Sequence, residues 1–164
     1  MHLQPLYMHI SMSTLPQPRK TVRTDAATLV DACSGLNSRL AARRITQFLD
    51  REMAATGLAA AQIGLMAQIA VASDDTLGGL AQRAGLDQST LSRNLRTLQA
   101  AGLVEIAMAG ADQRRRMAWL TEAGVRQLEA ALPIWRRAQA KLARQLSPAL
   151  ARNLADASAA LVAE

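Results

Sequence analysis

One stretch of the chain combines hydroxyl and arginine side chains in a way that suits binding to a polyanion. The candidate contact residues are Ser89, Thr90, Ser92, Arg93, Arg96 and Thr97. Hydroxyls can contact phosphates or base edges, and a guanidinium can pair bidentately with a phosphate or with guanine. No Asp or Glu lies within residues 88–104, whereas an ordinary solvated helix face mixes Glu with Arg. Double-stranded DNA is therefore the first partner to test.

A second basic cluster lies further along the chain. Arg114, Arg115 and Arg116 are consecutive and follow Gly110 closely. A flexible loop that carries guanidinium groups suits a narrow minor groove, whose negative potential attracts them. Asp112 is expected to shape this loop, through an Asx turn or an ion pair with Arg114, rather than to contact phosphate.

Residues for catalysis or metal binding are scarce. The chain has one cysteine, Cys33, and two histidines, His2 and His9, both near the N-terminus. This excludes an internal disulfide and leaves no cluster with zinc-ligand spacing. No nucleophile elbow, zinc-protease motif or P-loop occurs, and Asp74-Asp75 is typical of a solvated turn or a helix cap. We therefore predict neither enzyme activity nor a cofactor.

Length and composition favour one mostly helical domain. With 164 residues, half of them hydrophobic, the chain can bury a core without disulfides or metals. Aromatic residues make up only 2%, and Ala and Leu dominate the apolar half, which favours helical packing over a β-sandwich. No apolar run approaches the ~18 residues of a membrane helix, and no signal-peptide pattern begins the chain. We expect a cytoplasmic protein without membrane contact.

The net charge of +6 is unevenly distributed, and Arg supplies 17 of the 19 basic residues. Residues 79–120, which contain both basic clusters, carry an excess of +3. Another +3 lies in residues 1–24, which contain three prolines and no acid. We expect residues 1–24 to form a disordered tail, either a basic arm or a translational leader with alternative starts at Met8 or Met12.

Apolar spacing places the first cluster on the outer face of a helix. Leu91, Leu95 and Leu98 recur at three- and four-residue steps, and Arg93 falls opposite them at about 100° per residue. Gly102 fits the left-handed position that ends such a helix. A shorter helix that ends before Gly85 precedes it, so the segment is predicted to be a helix-turn-helix.

The hydrophobic period then changes from 3.6 to 2, which predicts two strands. The alternating residues are Val104, Ile106 and Met108 in the first strand, and Met117 and Trp119 in the second. The arginine-rich loop connects these strands. A helix-turn-helix followed by a basic hairpin is a winged helix.

Long helices flank the winged helix on both sides. One is predicted over residues 25–57, a second over 58–71, a third from Thr121 and a last from Ser147-Pro148. The third carries apolar residues at alternating steps of three and four, as in a coiled-coil seam. The seam residues are Val125, Leu128, Leu132, Trp135, Gln139, Leu142 and Leu146. Because a small lobe cannot cover so long a seam, we expect a homodimer interface there.

The predicted fold is therefore mainly α with a small hairpin (α+β). It is a winged helix-turn-helix over about residues 58–120, between dimerisation helices over about 26–56 and 122–162. Together these elements form a single domain over residues 25–164.

Five motifs occur in a fixed order along the chain. They are Leu80-Ala81, Gly85 to Arg93, Leu98 to Val104, Asp112 to Arg116, and Leu120 to Gly124. Their combination resembles the MarR family of bacterial transcriptional regulators over roughly residues 27–162. The resemblance implies an obligate homodimer, assembled from the first and the last two helices of each subunit, with two winged-helix lobes on a pseudo-palindromic operator. Many members are repressors that are released by small phenolic or other aromatic ligands, or by oxidation of a cysteine.

The chain departs from the family at Ala59, where Ser or Thr commonly caps the second helix. The signal sensed is open. By resemblance, a ligand pocket lies between the dimer helices and the lobe, where Met53, Met66 and Trp135 are either lining or core residues.

Two alternatives to a ligand-released repressor remain. Cys33 is either a small core residue or a redox-reactive thiol. The tyrosines that accompany the thiol in the family's peroxide sensors are missing here, since Tyr7 is the only tyrosine. The other alternative is a winged helix that serves as a protein-interaction module.

Overall fold

The computed structural model describes residues 20–72, 76–108, 116–159 and 161. The helices are α1 (Lys20–Ala32), α2 (Ser34–Glu52), α3 (Ala60–Val71), α4 (Leu77–Ala84), α5 (Gln88–Ala100), α6 (Glu122–Leu142) and α7 (Pro148–Ala159), and the strands are β1 (Val104–Met108) and β2 (Arg116–Leu120). The mainly α fold with one small antiparallel sheet confirms the predicted class. The chain divides between Arg43 and Arg44 into two compact units.

The N-terminal helix differs from its prediction. In place of one helix over residues 25–57, the chain forms α1 and α2, with Cys33 between them. The Cys33 N–H still bonds to the Leu29 carbonyl at 2.9 Å, so the helical path is interrupted only locally. The first helix begins at Lys20, so residues 20–24 are helical although they were assigned to the disordered tail. Residues 1–19 lie outside the described residues.

The core of the winged lobe forms where the sequence predicted it. Its central side chains are Met53, Met66, Leu95, Leu98 and Val104, each less than 2% exposed. They come from the residue that follows α2, from α3, from α5 and from β1, so these parts of the chain enclose a single apolar centre. Among the described residues, no helix is both long and apolar enough to cross a membrane.

The hairpin follows the predicted alternation only in part. In β1, Val104 is buried and Ile106 is half-buried, but Met108, which was predicted to lie inward with them, is 61% exposed. Val104 pairs with Leu120, and Ile106 pairs with Ala118. Met117 is buried, and it also forms an isolated antiparallel bridge with Thr76, just before α4. Trp119 was predicted to point inward with Met117, yet it is 40% exposed.

The helix α6 turns a stripe of mostly small residues toward the core of its own lobe. Gly124, Leu128, Ala131 and Ala138 are buried. The seam prediction is therefore wrong for Leu128, because this side chain packs in its own subunit's core. The helix ends at Leu142, before the seam residue Leu146. Of the other predicted seam residues, Trp135 is exposed, and those that are half-buried are Leu132, Leu142 and Leu146.

Candidate nucleic-acid interface

The helix α5 presents the predicted contact residues on its solvent side. Its apolar stripe, Leu91, Leu95 and Leu98, is at most 3% exposed and fixes the orientation of the helix. Of the six predicted contact residues, Thr90 is half-buried, and those exposed are Ser89, Ser92, Arg93, Arg96 and Thr97. The structure thus brings this predicted set together on one helix face.

Asp87 organises the first turn of α5. One oxygen of its carboxylate accepts a hydrogen bond from the Thr90 N–H at 2.8 Å and another from the Ser89 hydroxyl at 2.5 Å. The other oxygen accepts from the Thr90 hydroxyl at 2.8 Å. The Ser89 hydroxyl first, and then the N–H and hydroxyl of Thr90, hold the pKa of Asp87 well below its usual range. Asp87 is therefore an ionised N-cap.

This network sets the hydrogen-bonding polarity of the first turn. A carboxylate only accepts hydrogen bonds, so the hydroxyl protons of Ser89 and Thr90 point to Asp87. Each hydroxyl oxygen can then still accept a further hydrogen bond. The sequence indicated that these hydroxyls contact DNA, but it did not show that they are acceptors in the free protein.

The two arginines of α5 carry uncompensated charge. Among the described residues, neither Arg93 nor Arg96 forms an ion pair with a carboxylate. The ion pairs among the described residues join Arg126 to Glu122 and Lys141 to Glu52, and neither includes a residue of α5. Unpaired guanidiniums on a helix face are available for phosphate or base contacts.

The end of α5 is fastened to the start of α6. Gly102 has φ +70°, and the Leu103 N–H bonds to the Leu98 carbonyl at 2.9 Å, as in a Schellman motif. The Thr121 hydroxyl donates to the Gly102 carbonyl at 2.7 Å, and the same oxygen accepts from the Gly124 N–H at 2.9 Å. Thr121 therefore caps α6 while it holds the loop that follows α5.

A second cap supports α3, where the sequence has Ala59 instead of a hydroxyl residue. Asp50, near the end of α2, accepts from the Ala60 N–H at 2.8 Å. The Gln62 side chain accepts from the Ala59 N–H at 3.0 Å. The missing Ser or Thr is thus replaced by a carboxylate from the preceding helix, and nothing in the sequence near Ala59 indicates this role for Asp50.

The hairpin contributes one described arginine to the same side of the lobe. Arg116 is the first residue of β2, opposite Met108, and is exposed. Arg96 and Arg116 both line a cavity of about 150 Å³ between α5 and the hairpin. The other predicted wing residues, Asp112, Arg114 and Arg115, lie outside the described residues.

The candidate residues for sensing a signal differ in how exposed they are. Cys33 is half-buried at the junction of α1 and α2. Met53 and Met66 are core residues, at 1% and 0% exposure, whereas Trp135 is 41% exposed. Within the described ranges, no group of three His, Cys, Asp or Glu residues could bind a metal ion.

Comparison with known proteins identifies relatives of this winged lobe. The model of the MarR family matches residues 56–115. The transcriptional regulator MosR of M. tuberculosis, solved in complex with DNA, is 35% identical; the alignment covers 79% of this chain and 96% of that one, with a TM-score of 0.70. Comparison with curated protein sequences gave no match.

Two further structures extend the comparison. A MarR-family regulator from Silicibacter pomeroyi is 27% identical, with 85% of this chain and 97% of that chain covered and a TM-score of 0.62. Apo MarR from E. coli is 20% identical, with 79% and 96% covered and a TM-score of 0.60, and therefore supports the fold alone.

Proposed function

The chain belongs to the MarR family of DNA-binding transcriptional regulators, and from this premise we propose that it is a homodimeric repressor that binds a pseudo-palindromic operator. The observation that carries the proposal is the outer face of α5, which combines hydroxyls with two arginines that no described carboxylate neutralises. A bacterial repressor of this kind acts in the cytoplasm, where the chromosome lies.

We assign DNA contacts to two surfaces of each lobe. The face of α5 lies in a major groove, where an α-helix fits and base edges differ most. Its contact residues are Ser89, Thr90, Ser92, Arg93, Arg96 and Thr97. The wing enters the neighbouring minor groove with Arg114, Arg115 and Arg116, and Asp112 shapes the loop. MosR, the DNA-bound relative, supports DNA as the partner.

Exposed apolar side chains support the homodimer. The helices α1, α2 and α7 contain no buried residue. Leu29 and Val30 of α1 are 60% and 62% exposed, and Leu150 and Leu154 of α7 are 58% and 51% exposed. Several exposed large apolar side chains on one helix are uncommon on a monomer, and on each of these helices they mark an interaction surface. Leu128 is no longer a candidate for the interface, because it packs in its own core. The remaining candidates on and after α6 are Leu132, Trp135, Leu142 and Leu146.

Release by a small aromatic ligand is the second part of the proposal, and it rests on family membership. Because Met53 and Met66 fill the core, the exposed Trp135 is a better candidate than these methionines to contact such a ligand. Oxidation of Cys33 is the alternative signal, since its thiol is only half-buried.

Selection of bound fragments from genomic DNA, followed by binding assays on the recovered sites, tests the proposal. We expect one palindromic site class, bound by a dimer and released by an aromatic acid or by peroxide. Peroxide assays with a Cys33→Ser variant separate the two signals. Failure to retain any fragment at low salt, where nonspecific affinity is greatest, would instead support a protein-interaction module.

A further inference from the structure

The cavity between α5 and the hairpin combines cationic walls with an apolar floor. Its lining residues are Leu77, Ser92, Leu95, Arg96, Gln99, Ile106 and Arg116. Arg96 and Gln99 come from α5, and Arg116 comes from the base of the wing. We call this cavity the α5–hairpin hollow.

Among the described residues that line the hollow, the charged side chains are of one sign. Neither Arg96 nor Arg116 forms an ion pair with a carboxylate among the described residues. Glu105 is the neighbour of Ile106 in β1, but alternation along a strand directs it to the opposite face of the sheet. Two guanidiniums, a hydroxyl and a carboxamide therefore surround a space that favours an anion.

The size of the hollow favours a small anionic group. Its volume is about 150 Å³, below the roughly 300–1,000 Å³ of pockets that enclose drug-sized ligands. An aromatic inducer is therefore a poor occupant. A phosphate group, with several oxygens that accept bidentate arginine contacts, is a good one.

The position of the hollow indicates where such a phosphate comes from. In a DNA duplex, a sugar–phosphate backbone separates each major groove from the adjacent minor groove. If α5 occupies the major groove and the wing the adjacent minor groove, this backbone passes between them. The α5–hairpin hollow lies at that crossing, since α5 and β2 both line it.

We propose that the α5–hairpin hollow binds one phosphate of the operator backbone, clamped between Arg96 and Arg116. This rests on the proposed DNA-binding function and changes one of its assignments. Arg96 lies about 60° around the helix from Arg93, toward the hairpin. Arg93 contacts bases at the centre of the face, and Arg96 fixes the position of the lobe on the backbone.

The test measures the salt dependence of DNA binding by fluorescence anisotropy. The proteins are wild type, Arg96→Gln, Arg116→Gln and the double variant, with Arg137→Gln on α6 as a control for lost surface charge. Each binds a labelled operator and a noncognate duplex of equal length at several KCl concentrations. Thermal unfolding confirms that every variant is folded.

Because both arginines neutralise the same phosphate, their effects overlap. We expect each single variant to weaken binding about tenfold on operator and noncognate DNA alike. The slope of log Kd against log[KCl] falls by about 0.9 per subunit in the double variant, and by no more than that in either single variant. A neutral methylphosphonate at one operator position weakens wild-type binding and leaves the double variant unaffected.

Other results would overturn the clamp. A slope change of about 1.8 per subunit in the double variant would show two separate phosphates. Loss of the operator-to-noncognate ratio in Arg96→Gln would show a base contact. Binding of inorganic phosphate to free wild-type protein, with DNA affinity equal in wild type and double variant, would show a site for a free anion. If wild type bound no operator, the proposed function would fail. If wild type bound the operator and the variants bound it with the same affinity, only the clamp would fail.

Discussion

Gly124 lies directly against the backbone carbonyl of Leu103, so closely that an added Cβ would overlap the carbonyl oxygen. Leu103 joins the end of α5 to β1, and Gly124 lies in the first turn of α6. The same carbonyl accepts a hydrogen bond from the Thr121 N–H at 3.1 Å. Close packing at Gly124 therefore fixes α6 against the junction between the DNA-contacting helix and the hairpin.

Replacement of Gly124 by Ala should destabilise the lobe. The methyl group meets backbone rather than a mobile side chain, so the helix must shift, at a cost of about 1–3 kcal/mol or more. Gly64 in α3 is the matched control, because a Cβ there meets nothing within 4 Å. Gly64→Ala should stabilise by roughly 0.5–1 kcal/mol, since Ala favours a helix over Gly. Chemical denaturation measures both, and equal effects would contradict the packing argument.

Removal of the Asp50 carboxylate should weaken the start of α3. We expect Asp50→Ala to lower the free energy of unfolding by about 1 kcal/mol, as for other lost N-caps. Ala59→Ser in that background supplies an acceptor to another N–H of the same turn and should recover most of the loss. If Asp50→Ala unfolds at the same denaturant concentration as wild type, the cap is not stabilising.

The local parts of the fold could be predicted from the sequence. The Leu91, Leu95 and Leu98 stripe and the Gly102 stop depend on spacing within one helix, and both are confirmed. The helix-turn-helix and the hairpin followed from them. The outer face of α5 could be predicted for the same reason, since it is the side left over when the apolar stripe is buried.

Features that depend on distant contacts could not be predicted. The helix breaks at Cys33, which is neither a Gly nor a Pro, so the residue type does not signal the break. Asp50 contacts the Ala60 N–H only because α2 and α3 pack together. The spacing of Leu128 matches a coiled-coil seam between subunits, but the same spacing also matches an apolar stripe that packs on the core of its own subunit. Trp119 was misplaced because, although it shares a sheet face with the buried Met117, the strand register sets it opposite the exposed Glu105, where that face is open to solvent.

The network at Asp87 predicts a base preference for the first turn of α5. With their protons bound to Asp87, Ser89 and Thr90 accept hydrogen bonds from amino groups, which adenine and cytosine offer in the major groove. Asp87→Asn keeps a good N-cap but lets the hydroxyls donate outward. Site selection should show a preference for adenine or cytosine that Asp87→Asn loses. An identical preference in both proteins would refute the polarity argument.

The lowered pKa of Asp87 also has a consequence for stability. A carboxyl whose pKa is lower in the folded state contributes stability that is present above its unfolded pKa of about 3.9 and is lost as the pH falls through the folded value. Asp87 therefore stays ionised from pH 8 down to about pH 4. NMR titration of its side-chain carboxyl should show a midpoint below the ~3.9 of an unperturbed aspartate, and a midpoint at or above that value would contradict the network at Asp87.

Charged substitutions on α7 test the homodimer. Leu150→Glu with Leu154→Glu places two carboxylates on the exposed apolar face of the helix. We expect light scattering after gel filtration to show a monomer instead of a dimer, and operator affinity to fall at least 100-fold as the second lobe is lost. Val71→Glu, at a position 77% exposed on α3, should remain a dimer. A dimeric α7 variant would place the interface elsewhere.

The central claim is that the outer face of α5 distinguishes one DNA sequence from another, and Arg93→Ala tests it most directly. Anisotropy titration compares the affinities of wild type and Arg93→Ala for the selected operator and for a scrambled duplex of the same length, at one salt concentration. Loss of a bidentate base contact costs about 1–3 kcal/mol. We predict a fall in operator affinity of roughly 5- to 150-fold, with affinity for the scrambled duplex changed far less. Equal losses on both duplexes, or no loss on either, would contradict sequence recognition by α5.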